Sequence, residues 1–187
     1  MIKLLRVDER LVHGQVALAW TNSLNADCIF VVNDDVRKDK LRLTTLKMAV
    51  PAGVKFVSKS VDDAVEVLNS GKTDKYKMLI VVDSVADALK LAKGTGLVTS
   101  VNLGNMKRLE GRRQLTSSVF ATDEEIGAIR ELLSMGVSAP AGPNGGERSR
   151  RNTYLGGELI YEIEFERWDN DYSSSPSRRC CVPRFGR

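Results

Sequence analysis

Apolar and polar positions alternate along residues 1–137 in two distinct rhythms. Short β-branched or apolar runs fall at 2–7, 27–33, 54–58, 77–83 and 98–103, with a further strand-like segment near 114–121. Runs this short and this apolar are expected of strands buried on both faces of a parallel sheet. Between them lie stretches of helical spacing at about 14–24, 35–49, 60–70, 84–93 and 123–135. Their starts carry side chains suited to accept the first free backbone N–H groups: Asp34 or Asp35, Ser60 with Asp63, Ser84 with Asp87, and Thr122 or Asp123. Pro51, Gly53, Gly71, Gly94, Gly96 and Gly136 punctuate the ends. Alternation of this kind implies right-handed βαβ units. The expected fold is α/β, an open, mostly parallel, doubly wound sheet flanked by helices on both faces.

Near residue 138 the pattern changes. Ser138-Ala139-Pro140-Ala141-Gly142-Pro143-Asn144-Gly145-Gly146 reads as a turn-rich linker, and proline makes this stretch a poor strand. Residues 138–187 hold eight arginines and no lysine, whereas 1–137 hold twelve lysines and eight arginines. The end has no helical or strand period. The chain therefore divides into a domain at 1–137 and an atypical tail at 138–187, largely disordered or weakly structured. Tyr161 to Glu166 alternate with period two, as an edge strand or by chance. The abrupt loss of lysine points to a C-terminus replaced by a shifted reading frame; a lineage-specific tail with its own partner is the other explanation.

Composition narrows the class. Hydrophobic residues make up 42% of the chain, enough for an ordinary globular core. The longest apolar runs, such as Met78 to Val82, are far short of the roughly 20 residues a membrane helix needs. Lys3 and Arg6 interrupt the opening segment and exclude a secretory signal, so a cytoplasmic location is expected. Cys28 reads as a small buried hydrophobe, and Cys180-Cys181 has no companion at metal-ligand spacing. No metal site is expected. The net charge of +4 comes without a basic stripe interleaved with aromatics, which argues against nucleic acid.

The chain has one histidine, His13, set in Asp8-Glu9-Arg10-Leu11-Val12-His13-Gly14-Gln15-Val16. The segment falls between the first strand and the first helix, at the end of the sheet where α/β proteins place their chemistry. An imidazole of ordinary pKa is largely neutral at pH 7 and can act as nucleophile or base. The Arg10 guanidinium offers a planar fork of donors that suits phosphoryl oxygens. The helix beginning near Gly14 adds unpaired N–H groups and partial positive charge. Together they form an anion cradle with a nucleophilic nitrogen in its floor. On these grounds alone an ordinary polar loop histidine stays open. A Ser–His or Cys–His relay elsewhere is excluded, and neither Gly-x-Gly-x-x-Gly after the first strand nor a Gly-x-x-x-x-Gly-Lys-Ser/Thr loop occurs.

The segment Asp8-x-Arg10-Leu11-Val12-His13-Gly14-Gln15-Val16, followed by Trp20, resembles the N-terminal signature of the enzyme IIB components of the mannose/fructose/sorbose class of bacterial sugar phosphotransferase systems. So do Val31-Val32-Asn33-Asp34-Asp35-Val36, Lys47 to Val54, and Thr99 to Met106. The resemblance covers about residues 1–137. It implies a protein-N(π)-phosphohistidine–sugar phosphotransferase component in which His13 takes a phosphoryl group from a phosphohistidine on a IIA partner. The group then passes to sugar carried by the membrane subunits IIC and IID, which would hold the protein at the inner face of the membrane. Arg10 is implied as the phosphate-stabilising residue, and the nitrogen nearer the side-chain stem as the one used. No cofactor is implied.

Gly14 and Gln15 would line the same cradle, and Asp8 either orients loop or imidazole or only caps the turn. Asn33, Ser58, Asp83, Ser100 and Asn102 fall at other strand ends, where a structural role is the default. Trp20 reads as core. Lys107-Arg108 and Arg112-Arg113 read as a solvated basic loop, with docking of an acidic partner the alternative. A homodimer is left open. Two rival readings remain: a catalytically silent binding module of the same fold with impaired partner docking, and a nucleotide-binding α/β domain.

Overall fold

The computed structural model describes residues 1–142 and the backbone of 153–155 and 158–160. In chain order the elements are β1 (Ile2–Asp8), α1 (Gly14–Leu24), β2 (Cys28–Val32), α2 (Lys40–Met48), β3 (Lys55–Lys59), α3 (Val61–Asn69), β4 (Met78–Val82), α4 (Val85–Thr95), β5 (Val101–Asn105), β6 (Arg113–Gln114), β7 (Phe120–Ala121), α5 (Asp123–Ser134), β8 (Thr153–Leu155) and β9 (Glu158–Ile160). Five strands form a parallel sheet in the order β3-β2-β4-β1-β5. The expected doubly wound fold is the one found.

Burial explains the strand composition. Every residue of β2 and β4 is buried, because helices cover both faces of the sheet centre, whereas the edge strand β3 is half-exposed. Side chains of α1 and α2 (Ala17, Trp20, Leu46) pack on one face against Leu4, Ile29, Val31, Leu79 and Val81. Those of α3, α4 and α5 pack on the other against Leu5, Val7, Phe30, Ile80, Val82, Val101 and Leu103. The chain therefore leaves β1 toward one face and the adjacent β4 toward the other. That divergence opens a crevice at the carboxyl ends of the strands.

The caps follow the sequence in three of four cases. Ser60 accepts from Asp63 N–H, Ser84 from Asp87 N–H, and Thr122 and Glu125 form a reciprocal capping box. The start of α2 differs. Asn33 Oδ1 accepts from the N–H groups of Asp35 and Val36, and Asp34 accepts instead from Val61 N–H. A separate turn thus consumes these groups, and α2 begins at Lys40 under an Asp39 cap. The segment expected near 114–121 is the short antiparallel pair β6–β7 rather than one strand.

The polypeptide does not leave the sheet at Val137. Ser138 N–H donates to Thr99 O, and the carbonyls of Ser138 and Pro140 accept from Val101 and Leu103 N–H. Gly142 N–H returns to Leu103 O. Isolated parallel bridges, rather than a continuous ladder, result on the outer flank of β5. Pro140 takes part because a proline carbonyl still accepts, although its nitrogen has nothing to donate. Tyr161–Glu166, Cys180 and Cys181 lie outside the described residues, as does most of the tail.

Candidate functional site

The loop between β1 and α1 is built around one buried carboxylate. Asp8 closes β1 fully buried, and its Oδ1 accepts from Arg10 N–H at 3.1 Å while its own carbonyl accepts from Leu11 N–H at 2.7 Å. This tight turn places Leu11 at φ +58°, a left-handed backbone uncommon outside glycine and asparagine. The Leu11 side chain is 2% exposed in the α1–α2 cluster, with Val12 beside it, so burial of the two hydrophobes offsets the unfavourable dihedral.

His13 follows as the N-cap of α1, in extended conformation, and its side chain makes no capping bond. The ring is free for other work. Its Nε2 is shut off from solvent, has no hydrogen-bond partner, and faces Asp8 Oδ2 at 3.8 Å. The side chain keeps 30% exposure, which therefore falls on the remainder of the ring. Burial is the main influence holding the His13 pKa below the ordinary imidazole value; Arg10 and Arg6 add to it against the opposing pull of Asp8. A histidine beside a carboxylate usually gains a proton. Here burial, aided by Arg10 and Arg6, outweighs that pull and favours the neutral ring.

Arg10 is half-exposed, with Nε 4.0 Å from Asp8 Oδ1, and stands at the mouth of the loop. Gly14 opens α1 on the exposed side, where a Cβ would meet nothing within 4 Å. The first intrahelical bond is Ala17 N–H to His13 O, so the preceding N–H groups have no partner within the helix. Gln15 lies in the same first turn; its side chain is outside the described residues. His13, Arg10, Gly14 and Asp8 are thus brought together, and Asp8 both caps the turn and faces the imidazole.

The other candidates separate. Asn33 Nδ2 donates to Asp83 at 2.6 Å, a link between strand ends, and Asp83 is pushed up mainly by burial. The hydroxyls of Ser58 and Ser100 are buried without partners. Trp20 is core, as expected. Asn102 joins the site indirectly, through a residue that sequence reasoning passed over. Arg6 is 2% exposed on β1, and its guanidinium donates to Asp8 Oδ2 (2.9 Å from Nη2) and Asn102 Oδ1 (2.5 Å from Nη1). A charged residue inside an otherwise apolar strand was the available signal. Arg112 is not a solvated docking residue. It is largely buried in ion pairs with Glu9 of the β1–α1 loop and Glu125 of α5. Arg113 pairs with Asp123 but stays exposed, as do Lys107 and Arg108.

Residues 2–141 match the family model of the PTS system sorbose subfamily IIB component. The chain belongs to the sorbose-class IIB family. A probable phosphotransferase enzyme IIB component of Streptococcus pyogenes serotype M6 is 39% identical over 140 residues, covering 72% of this chain and 86% of the relative. The mannose-specific EIIAB component of Escherichia coli K12 is 34% identical over 137 residues, 73% of this chain and 42% of that longer protein. Among solved structures, the IIB domain of the sorbose permease from Klebsiella pneumoniae aligns with a TM-score of 0.75 at 32% identity, covering 79% of this chain and 90% of that one. A IIB component is a phosphotransferase component of a sugar-transporting system, and the family match extends past Val137 to the residues that flank β5. Among the described residues no helix is long and apolar enough to cross a membrane, and no cluster of His, Cys, Asp or Glu is arranged to hold a metal.

Proposed function

We propose that this IIB component carries a phosphoryl group on His13 Nδ1, taking it from a phosphohistidine of a IIA protein and passing it to sugar translocated by IIC/IID subunits. The observation that carries this reading is the inward Nε2, closed to solvent and turned to Asp8. The Asp8 charge 3.8 Å away favours the proton on the nitrogen facing it, which leaves the Nδ1 lone pair for chemistry. In transfer, that lone pair attacks phosphorus as the P–N bond of the donor breaks, its electron pair returning to the donor imidazole. The positive charge developing on the His13 ring is drawn toward Asp8 through Nε2–H. Arg10 and the N–H groups of Gly14 and Gln15 offset charge on the equatorial oxygens. The donor P–N bond already supplies an activated group, so no cofactor enters this step. The E. coli relative named as an EIIAB component supports a IIA donor, and the relatives are named for more than one sugar, mannose and sorbose among them.

The test is intact-mass measurement of the full chain after incubation with a phosphorylated IIA protein. The wild type gains one acid-labile phosphoryl mass and His13→Ala gains none. Retention of the label by folded His13→Ala would overturn the assignment.

A further inference from the structure

A buried guanidinium in the middle of a parallel strand calls for a reason. Leu4, two residues earlier on the same face of β1, is an ordinary core residue, and a buried ion pair is often no more stable than the hydrophobic side chains that could replace it. Three other parts of the chain converge on Arg6. Beyond Asp8 and Asn102, its Nη1 donates to Gly142 O at 3.3 Å, and its Cζ lies 5.3 Å from the centre of the Trp20 ring of α1. Asn102 stands opposite Arg6 in the β1–β5 register. Gly104, one pleat further on, leaves the space that the guanidinium occupies: a Cβ there would overlap Cζ and both terminal nitrogens. The seat is therefore cut to this side chain by β5, α1 and the stretch 138–142 that flanks β5.

The contact that matters is at one atom. Asp8 Oδ2 accepts from Arg6 Nη2 and Nε, and the same oxygen faces His13 Nε2. We infer that Arg6 is a positioning residue for phosphoryl transfer: clamped by Asn102 and Gly104, it holds the Asp8 Oδ2 charge opposite His13 Nε2, which favours the proton on that nitrogen and keeps Nδ1 unprotonated. Arg6 acts through Asp8 and lies beneath the loop, away from the incoming group. This role rests on the reading of His13 as phosphoryl acceptor, but its structural half can be measured without any phosphate.

Because His13 is the chain's only histidine, long-range 1H–15N spectra of histidine-labelled full chain report its tautomer without overlap. The wild type should be predominantly Nε2–H. In Gly104→Ala the added methyl drives the guanidinium from its seat; Arg6→Lys keeps the charge but loses the fork that spans Asp8 and Asn102. Both should give mixed tautomers, with phosphoryl uptake about tenfold slower at saturating donor and the KM for donor changed by less than about twofold. Folded Gly104→Ala with wild-type tautomer and rate, or slowing entirely in KM, would overturn the inference. Should Gly104→Ala not fold, Asn102→Ala removes a single acceptor, and an unchanged tautomer there is equally decisive. If the wild type takes up no phosphoryl group, the phosphocarrier reading fails, while the tautomer comparison still decides whether Arg6 positions the ring.

Discussion

Replacing Arg10 by alanine separates two jobs that its position allows. Arg10 contributes to holding His13 neutral, and it stands at the mouth of the loop where phosphoryl oxygens must arrive. If the first job dominated, Arg10→Ala would slow transfer only by protonating more of the imidazole, and raising the pH would restore the rate. If the second dominates, the loss persists. A unit charge about 4 Å from a phosphoryl oxygen is worth roughly 1 kcal/mol in bulk water and roughly 4 at an effective dielectric of 20. The Arg10 side chain is 54% exposed, which places the effect in the lower half of that range. About 1–2.5 kcal/mol corresponds to a roughly 5- to 70-fold slower transfer. The assay is rapid-quench phosphoryl uptake from a phosphorylated IIA protein at about pH 7 and about pH 8.5, beside an NMR titration of His13. The variant should titrate at higher pH than wild type yet remain slow at the alkaline point. Full recovery there would refute the direct contact and reduce Arg10 to a modulator of protonation.

Two further outcomes follow from the loop. Leu11→Ala keeps the left-handed backbone but discards the buried side chain that stabilises it, and should lower unfolding free energy by about 2–4 kcal/mol in urea titrations; a change under about 1 kcal/mol would mean the turn is held by Asp8 alone. The lowered His13 pKa also makes stability depend on pH. In the window below the unfolded value of 6.5 the unfolded chain binds more protons than the folded one, so this contribution is complete above 6.5 and is lost as pH falls through the folded pKa. His13→Gln should accordingly lose less stability than wild type between about pH 7 and about pH 5, and parallel urea-derived profiles would contradict the assigned shift.

The alternation of short apolar runs with capped amphipathic stretches was enough to read the sheet and its five covering helices, because central parallel strands must be apolar on both faces. The position of the loop was equally legible, since His13 and Arg10 fall between the first strand and the first helix, and the structure brings them together there with Asp8 and Gly14. What escaped were contacts between residues distant in sequence. Arg6 served only as a charge that excludes a signal segment; its partners Asn102, Gly104 and Gly142 lie about a hundred residues on. Arg112 looked like a solvated cation for the same reason, as Glu9 reaches it only in the folded chain. Asp34 could not be assigned because capping preference is local, while the N–H it satisfies belongs to Val61. Pro140 misled in the opposite direction: a missing donor weakens a strand, but an outer flank needs only some of its bonds.

The nitrogen that bears the phosphoryl group tests the account most directly. With a single histidine, 15N–31P correlation on the phosphorylated full chain gives one unambiguous answer. Coupling of phosphorus to Nδ1 of His13, with the proton retained on Nε2, is the expected result. Phosphorus on Nε2 would mean that the inward, Asp8-facing orientation of the ring is not the working one.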